Sequence, residues 1–263
     1  MGKYVFNFGE GRSDGNAEMR DILGGKGANL AEMCDIGLPV PPGFTISTDV
    51  CSYFYDNQYK YPESLVHEID KAIILLEKRT NKNFGSDNNP LLLSIRSGSR
   101  ASMPGMMDTI LNLGLNDKAT KGLSLLTNNE RFAFDCYRRF IQMYSNVVLD
   151  VDHGLFEDAL EDIKIEFGLE LDTDLEAQHL KKLVKIFKEI VKNETSKPFP
   201  QNPKIQIWKA IGAVFSSWMN NRAVTYRKLN NIPTEWGTAV NIQSMVFGNM
   251  GNDCATGVAF TRN

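Results

Sequence analysis

The stretch from Leu91 to Gly105 constrains this chain most. It begins Leu91-Leu92-Leu93-Ser94-Ile95-Arg96-Ser97, a run with the two-residue period of a strand. Leu91, Leu93 and Ile95 point one way, toward a core, and Leu92, Ser94 and Arg96 point the other. A guanidinium cannot shed its charge, so an arginine at the end of such a strand needs an anion or a wet cleft. The run continues as Gly98-Ser99-Arg100-Ala101-Ser102-Met103-Pro104-Gly105, whose hydroxyls and backbone N–H groups can coordinate an anion. An arginine bridged to a carboxylate elsewhere in the fold satisfies the same pattern.

A second cation lies roughly seventy residues earlier, in Gly24-Gly25-Lys26-Gly27-Ala28-Asn29-Leu30. Leu30, Met33 and Cys34 recur at helical spacing, and Gly37 with Pro39 makes a stop, so the pattern predicts a helix over 26–36. Lys26 then stands at a helix N-terminus, where unpaired N–H groups and the helix dipole favour an anion. Glycines before it let a phosphate approach closely. The segment is not a P-loop, because Gly27 follows the lysine where that motif needs Ser or Thr. A glycine-rich turn with a solvated lysine is the competing reading. A third glycine-rich stretch, Gly248-Asn249-Met250-Gly251-Asn252-Asp253, lies between an expected strand over 239–247 and a return strand over 256–261. Its tip could close over a phosphate chain, with Thr256 and Gly257 donating a hydroxyl and a backbone N–H; an ordinary flexible hairpin fits as well. Taken together, the three segments point to a polyphosphate such as that of ATP.

The remaining chain supplies a frame. Short strands are expected over 4–8, 44–47 and 109–113. Residues 63–79, 130–148, 155–167 and 175–192 carry apolar groups at helical spacing, the last three forming a helical region with a solvated Lys/Glu face. Residues 81–90 read as a polar loop and 195–203, with three prolines, as a linker. One long helix is expected over 204–229, with Pro203 suited to its first turn.

The 263 residues are 42% hydrophobic, enough to bury a core without covalent staples. A net charge of −3 gives no general attraction to nucleic acid or an anionic membrane, so any anion site must be local. No run of eighteen apolar residues predicts a membrane helix. Cys34, Cys51, Cys136 and Cys254 have no metal or redox spacing and read as reduced thiols of a cytosolic protein. His67 and His179 read as helical and structural, and His153 as part of a turn. Asp108 and Asp253 lie near the glycine-rich segments without forming a carboxylate pair, and neither is assigned to a metal.

Longer motifs add a family resemblance. Residues Gly24 to Met33, Leu38-Pro39-Val40-Pro41-Pro42-Gly43-Phe44, Ser94 to Thr109, Val246 to Gly251 and Thr256 to Asn263 resemble, in order, the N-terminal part of the pyruvate, phosphate dikinases. The related phosphoenolpyruvate synthases share the Gly-Gly-Lys start but lack the run Met103-Pro104-Gly105-Met106-Met107-Asp108-Thr109. The resemblance implies an α+β, ATP-grasp-like nucleotide-binding fold with an inserted helical subdomain: a first subdomain over 1–115, helices over 116–200 and the start of a second subdomain over 201–263. It implies ATP with Mg²⁺, whose ligands would lie further along the parent chain. It implies phosphoryl transfer through a phosphohistidine domain to pyruvate, and a parent that dimerises through a C-terminal domain. Lys26 and Arg96 match the family's phosphate-binding pair, Gly105, Met107, Thr256 and Gly257 match loops along the triphosphate, and Arg139 matches a position on the helical region. The three histidines lack the phosphoacceptor context. The chain ends within what reads as a strand, so an incomplete active site, inactive alone, is expected; the alternatives are a non-catalytic nucleotide or phosphate binder and a phosphoenolpyruvate synthase-like water dikinase. A cytoplasmic location is expected, with chloroplast or glycosome left open for the parent.

Overall fold

The computed structural model describes residues 2–251 and 253–258. The chain begins with β1 (Val5–Gly9), β2 (Arg12–Ser13), α1 (Arg20–Asp35), β3 (Gly43–Ile46), α2 (Thr48–Asp56) and α3 (Glu63–Thr80). It continues through β4 (Asn83–Phe84), β5 (Pro90–Leu91), β6 (Leu93–Gly98) and β7 (Thr109–Leu113). Helices α4 (Asp117–Thr127), α5 (Glu130–Leu149), α6 (His153–Phe167), α7 (Ala177–Thr195), α8 (Pro203–Ser217) and α9 (Asn221–Leu229) precede the last strand, β8 (Ala239–Ser244). Helices and an antiparallel main sheet in one chain are compatible with the α+β class that the family resemblance implies.

The main sheet has six strands in the order β2-β1-β3-β8-β6-β7. The late strand β8 inserts between β3 and β6, antiparallel to both. Ile46, Val240, Ile95, Ile242 and Ile110 lie on one face and join the largest core cluster, which also takes in side chains of α3, α5, α7 and α8. Phe6, Thr45, Asn241, Arg96 and Thr109 form a row across the opposite face. There α1 packs through Leu23 and Ala28 against Phe6. Burying both faces explains why every residue of β8 is buried although its sequence alternates.

Several sequence expectations need correction. Helix α1 starts at Arg20 rather than residue 26, and a break at Gly24, with φ of +66°, restarts it just before Lys26. The long helix over 204–229 is two helices; the Asn220 side chain accepts from Ala223 N and caps the second. The loop over 81–90 contains β4, which pairs with β5. The strand expected over 239–247 stops at Ser244. Residues 256–258 carry no strand, and the remainder of the expected return strand lies outside the described residues. His153 opens α6 rather than sitting in a turn. The proline-rich stretch over 195–203 is pinned by Phe199, 1% exposed, whose ring meets Tyr137, Phe140 and Tyr144 edge-on at 5.6–6.3 Å.

Candidate functional site

Close backbone approach builds the site. A Cβ on Gly24 would lie 1.7 Å from the Gly98 carbonyl oxygen, so α1 can meet β6 only with glycine at that position. Gly25 N donates to Ser99 O at 2.9 Å, fixing the start of the glycine-rich loop against the restarted helix. Lys26 Nζ reaches across and donates to Ser97 O at 2.9 Å. Arg96 stands one residue before Ser97, exposed in an otherwise buried strand. The period-two division of faces thus holds for Arg96.

The electrostatics are unusual for surface cations. Lys26 is exposed as a residue, yet its ammonium end is partly desolvated. That desolvation, and secondarily the Arg96 guanidinium, hold its pKa below the ordinary lysine value. Among the described residues, neither Lys26 nor Arg96 takes part in an ion pair. Two neighbouring cations with no ion-pair partner among the described residues are stabilised by any polyanion that bridges them.

The loop after β6 is anchored at its flanks. Met103 is buried against Trp218 and Ala223, with Met106 and Met107 packed alongside. Met106 O accepts from Arg222 Nε at 3.1 Å and from Asn220 Nδ2 at 3.3 Å, and Arg222 also pairs with Asp108. Desolvation raises the Asp108 pKa against the opposing pull of Arg222. Gly105, at φ of +73° with nothing within 4 Å of its missing Cβ, forms the open tip. Asn220 and Arg222 carried no signal in the sequence, because their loop contact spans 114 and 116 residues.

The other expected residues lie elsewhere. Arg139 Nε donates to Asp135 Oδ2 at 2.9 Å on α5 and borders a groove with Asn112, His153 and Asp172. Thr256 and Gly257 are exposed, and a Cβ on Gly248 would fall 1.8 Å from Thr256 Oγ1, so this stretch folds back on itself. Neighbouring Phe247, Met250 and Cys254 line a cleft of about 910 Å³ with Pro39, Leu92 and Thr127. That cleft sits at the Ser244 end of β8, whereas Lys26 bonds at the Ala239 end, where Gly98 pairs. The structure therefore brings together Lys26, Arg96 and the start of the Gly105 loop, but neither Arg139 nor Thr256–Gly257. His179 Nδ1 accepts from Glu176 N at 3.1 Å, a capping role. No group of three or more His, Cys, Asp or Glu among the described residues could hold a metal. No described helix is long and apolar enough to cross a membrane.

Comparison with known proteins fits this architecture. The family model described as pyruvate phosphate dikinase, AMP/ATP-binding domain, matches residues 20–60 and 57–263. The chain belongs to that family. It is 57% identical to the pyruvate, phosphate dikinase of Rhizobium meliloti, over the whole chain and 29% of the relative. It is 53% identical to that of Clostridium symbiosum, over the whole chain and 30% of the relative. Against the chloroplastic enzyme of Flaveria trinervia it is 52% identical, over 99% of the chain and 27% of the relative. The chain thus spans less than a third of the length of each.

Proposed function

We propose that this chain is the ATP-binding part of a pyruvate, phosphate dikinase, with Lys26 and Arg96 holding the triphosphate. The parent reaction moves phosphoryl groups from ATP through a phosphohistidine to pyruvate and phosphate, giving phosphoenolpyruvate, AMP and pyrophosphate. The observation that carries the site is the uncompensated pair of cations beside an anchored glycine-rich loop. Phosphoryl transfer asks a protein mainly for positioning and charge neutralisation. Lys26 supplies a point charge, and Arg96 a planar fork for phosphate oxygens. The open Gly105 tip offers backbone close to the same anion, with Met107 beside it. On this reading the fold is an ATP-grasp domain, with 1–115 as its first subdomain, 116–200 as inserted helices and 201–263 as the start of the second.

Family membership implies Mg²⁺, but the described residues do not form a set that fits it. Asp108, the carboxylate beside the loop, is engaged by Arg222. No step is therefore assigned to a metal held by these residues. The phosphohistidine carrier and the pyruvate site are placed on other parts of a parent chain, as is the dimer contact. Arg139, Thr256 and Gly257 lie away from Lys26 and Arg96 and are left out of the triphosphate contact on this reading.

Calorimetric titration with MgATP tests the site directly. The folded wild-type chain should bind, and Lys26→Ala and Arg96→Ala should each abolish measurable binding. Undiminished binding in both variants would overturn the assignment. A folded wild-type chain that does not bind would show that the cleft is unformed without further residues of the parent.

A further inference from the structure

We infer that Asn241 is a positioning residue for the two cations: its carboxamide links the helix that carries Lys26 to the strand that carries Arg96 and sets their spacing. The inference rests on the proposal that this pair holds a triphosphate.

Asn241 lies within β8, only 2% exposed, between the core residues Val240 and Ile242. Its register places it opposite Thr45 on one side and opposite Arg96 on the other. Thr45 Oγ1 donates to Asn241 Oδ1 at 2.9 Å. Thr45 in turn presses on Gly27, the residue after Lys26, where a Cβ would come within 2.9 Å of the same hydroxyl. On the other side, a Cβ on Gly98 would fall 2.3 Å from Asn241 Nδ2. The amide thus fills the space left by that glycine, next to the Ser97 carbonyl that receives the lysine. One continuous path runs Lys26, Gly27, Thr45, Asn241, Gly98, and Asn241 also faces Arg96 across the strands.

Among the described residues, Asn241 Nδ2 has no hydrogen-bond partner although it is buried. An orphaned buried donor is destabilising, and an apolar side chain of similar size would fill the slot without that penalty. Packing alone therefore gives no reason for asparagine here. Fixing two like charges at one spacing does, because the fold must hold them against their mutual repulsion before a ligand arrives. Among the described residues, the Arg96 guanidinium is the charge that lowers the Lys26 pKa beside desolvation; Asp21, on the same helix, is engaged by Arg100 at 3.1 Å.

The test is an NMR titration of the Lys26 ammonium in the folded 263-residue chain, with no ligand required. Thr45→Val removes the hydroxyl and keeps the shape, and Asn241→Ala removes the link. In both, the Lys26 pKa should rise toward 10.5 as the ammonium returns to water and draws away from Arg96. Thr45→Ser, which keeps the hydroxyl, should titrate as wild type. If Asn241→Ala does not fold, Thr45→Val carries the test. A lower melting temperature with an unmoved Lys26 titration would mark a structural role only and overturn the inference. In parallel, MgATP affinity should fall roughly ten- to hundredfold in the two linking variants, the scale of a misplaced contact. Lys26→Ala and Arg96→Ala belong in the same titration: if both bind as wild type, the triphosphate reading fails while the lysine titration still judges Asn241.

Discussion

Two groups of cations in this molecule are handled in opposite ways. On α5 and α6, Arg138, Arg139 and Lys164 are all matched. Arg138 meets Asp135 at 2.7 Å and Asp172 at 3.4 Å, Arg139 meets Asp135 at 2.9 Å, and Lys164 meets Asp172 at 2.8 Å. The hydrogen bond to Asp172 raises the Lys164 pKa. Desolvation alone would lift Asp172, yet Lys164 and Arg138 bring it below its ordinary value. At the sheet, Lys26 meets a carbonyl and another cation, and its pKa moves down. Two lysines of one chain are therefore displaced in opposite directions: the hydrogen bond to Asp172 draws one up, while desolvation and then the Arg96 guanidinium bring the other down. The first group is matched within the fold; on the proposed function, the second waits for a ligand.

Substitution should separate the two regions sharply. The largest effect belongs to the core packed against α5, the helix that carries the compensated arginines. Phe199→Ala empties a site enclosed by three aromatic rings and should cost about 3–5 kcal/mol in denaturant unfolding. Asp135→Ala comes next, at about 3 kcal/mol, because it leaves Arg138, 3% exposed, with only its 3.4 Å partner. Arg96→Ala should change stability by no more than about 0.5 kcal/mol while removing MgATP binding. A mild Asp135→Ala, or a strongly destabilised Arg96→Ala, breaks the comparison, since the supposed ligand-binding charge would then be structural.

Gly24→Ala probes the junction. The new methyl group would need a left-handed backbone and would collide with the Gly98 carbonyl, so α1 must shift off β6. A loss of about 2 kcal/mol is expected, within the range for strain at a special backbone position. Binding should suffer with it, because Lys26 moves with the helix. Stability and MgATP affinity measured on the same sample would sharpen the comparison; a variant as stable as wild type would show that the close approach is not needed.

The sequence made parts of this legible for physical reasons. Helices α3 and α5 and strand β7 were bounded nearly to the residue, because one apolar face at a regular period is a local property. The face of Arg96 followed from the same alternation. Breaks were harder. Nothing in Trp218, Met219 or Asn220 forbids a helix; the chain turns there because the Asn220 side chain caps α9 and Trp218 is buried under the 99–108 loop's Met103. The proline-rich stretch looked like a linker because one buried phenylalanine, Phe199, carries no periodicity. Asn241 carries no sequence signal for a related reason. The alternation of its strand marks the apolar face, and the partners that give the other face meaning, Thr45 and Arg96, lie far away in the chain.

The smallest effect is also the most specific to the site. Lys26→Met removes a charge the unliganded fold tolerates poorly. In the folded chain the lysine pKa lies below 10.5, so between that lowered value and 10.5 the unfolded state holds the extra proton. Wild-type stability must therefore rise with pH across that window. Below it both states are charged and the penalty is fully present; above 10.5 both are neutral and it is gone. Lys26→Met should equal or slightly exceed wild type at neutral pH, by no more than about 0.5 kcal/mol. That margin should close as the pH passes 10.5. Saturating MgATP should reverse the order, since the ligand stabilises only a chain that binds it. A lysine that weakens the empty protein and strengthens the liganded one is placed for its ligand. One that strengthens both, like Lys164, is placed for the fold.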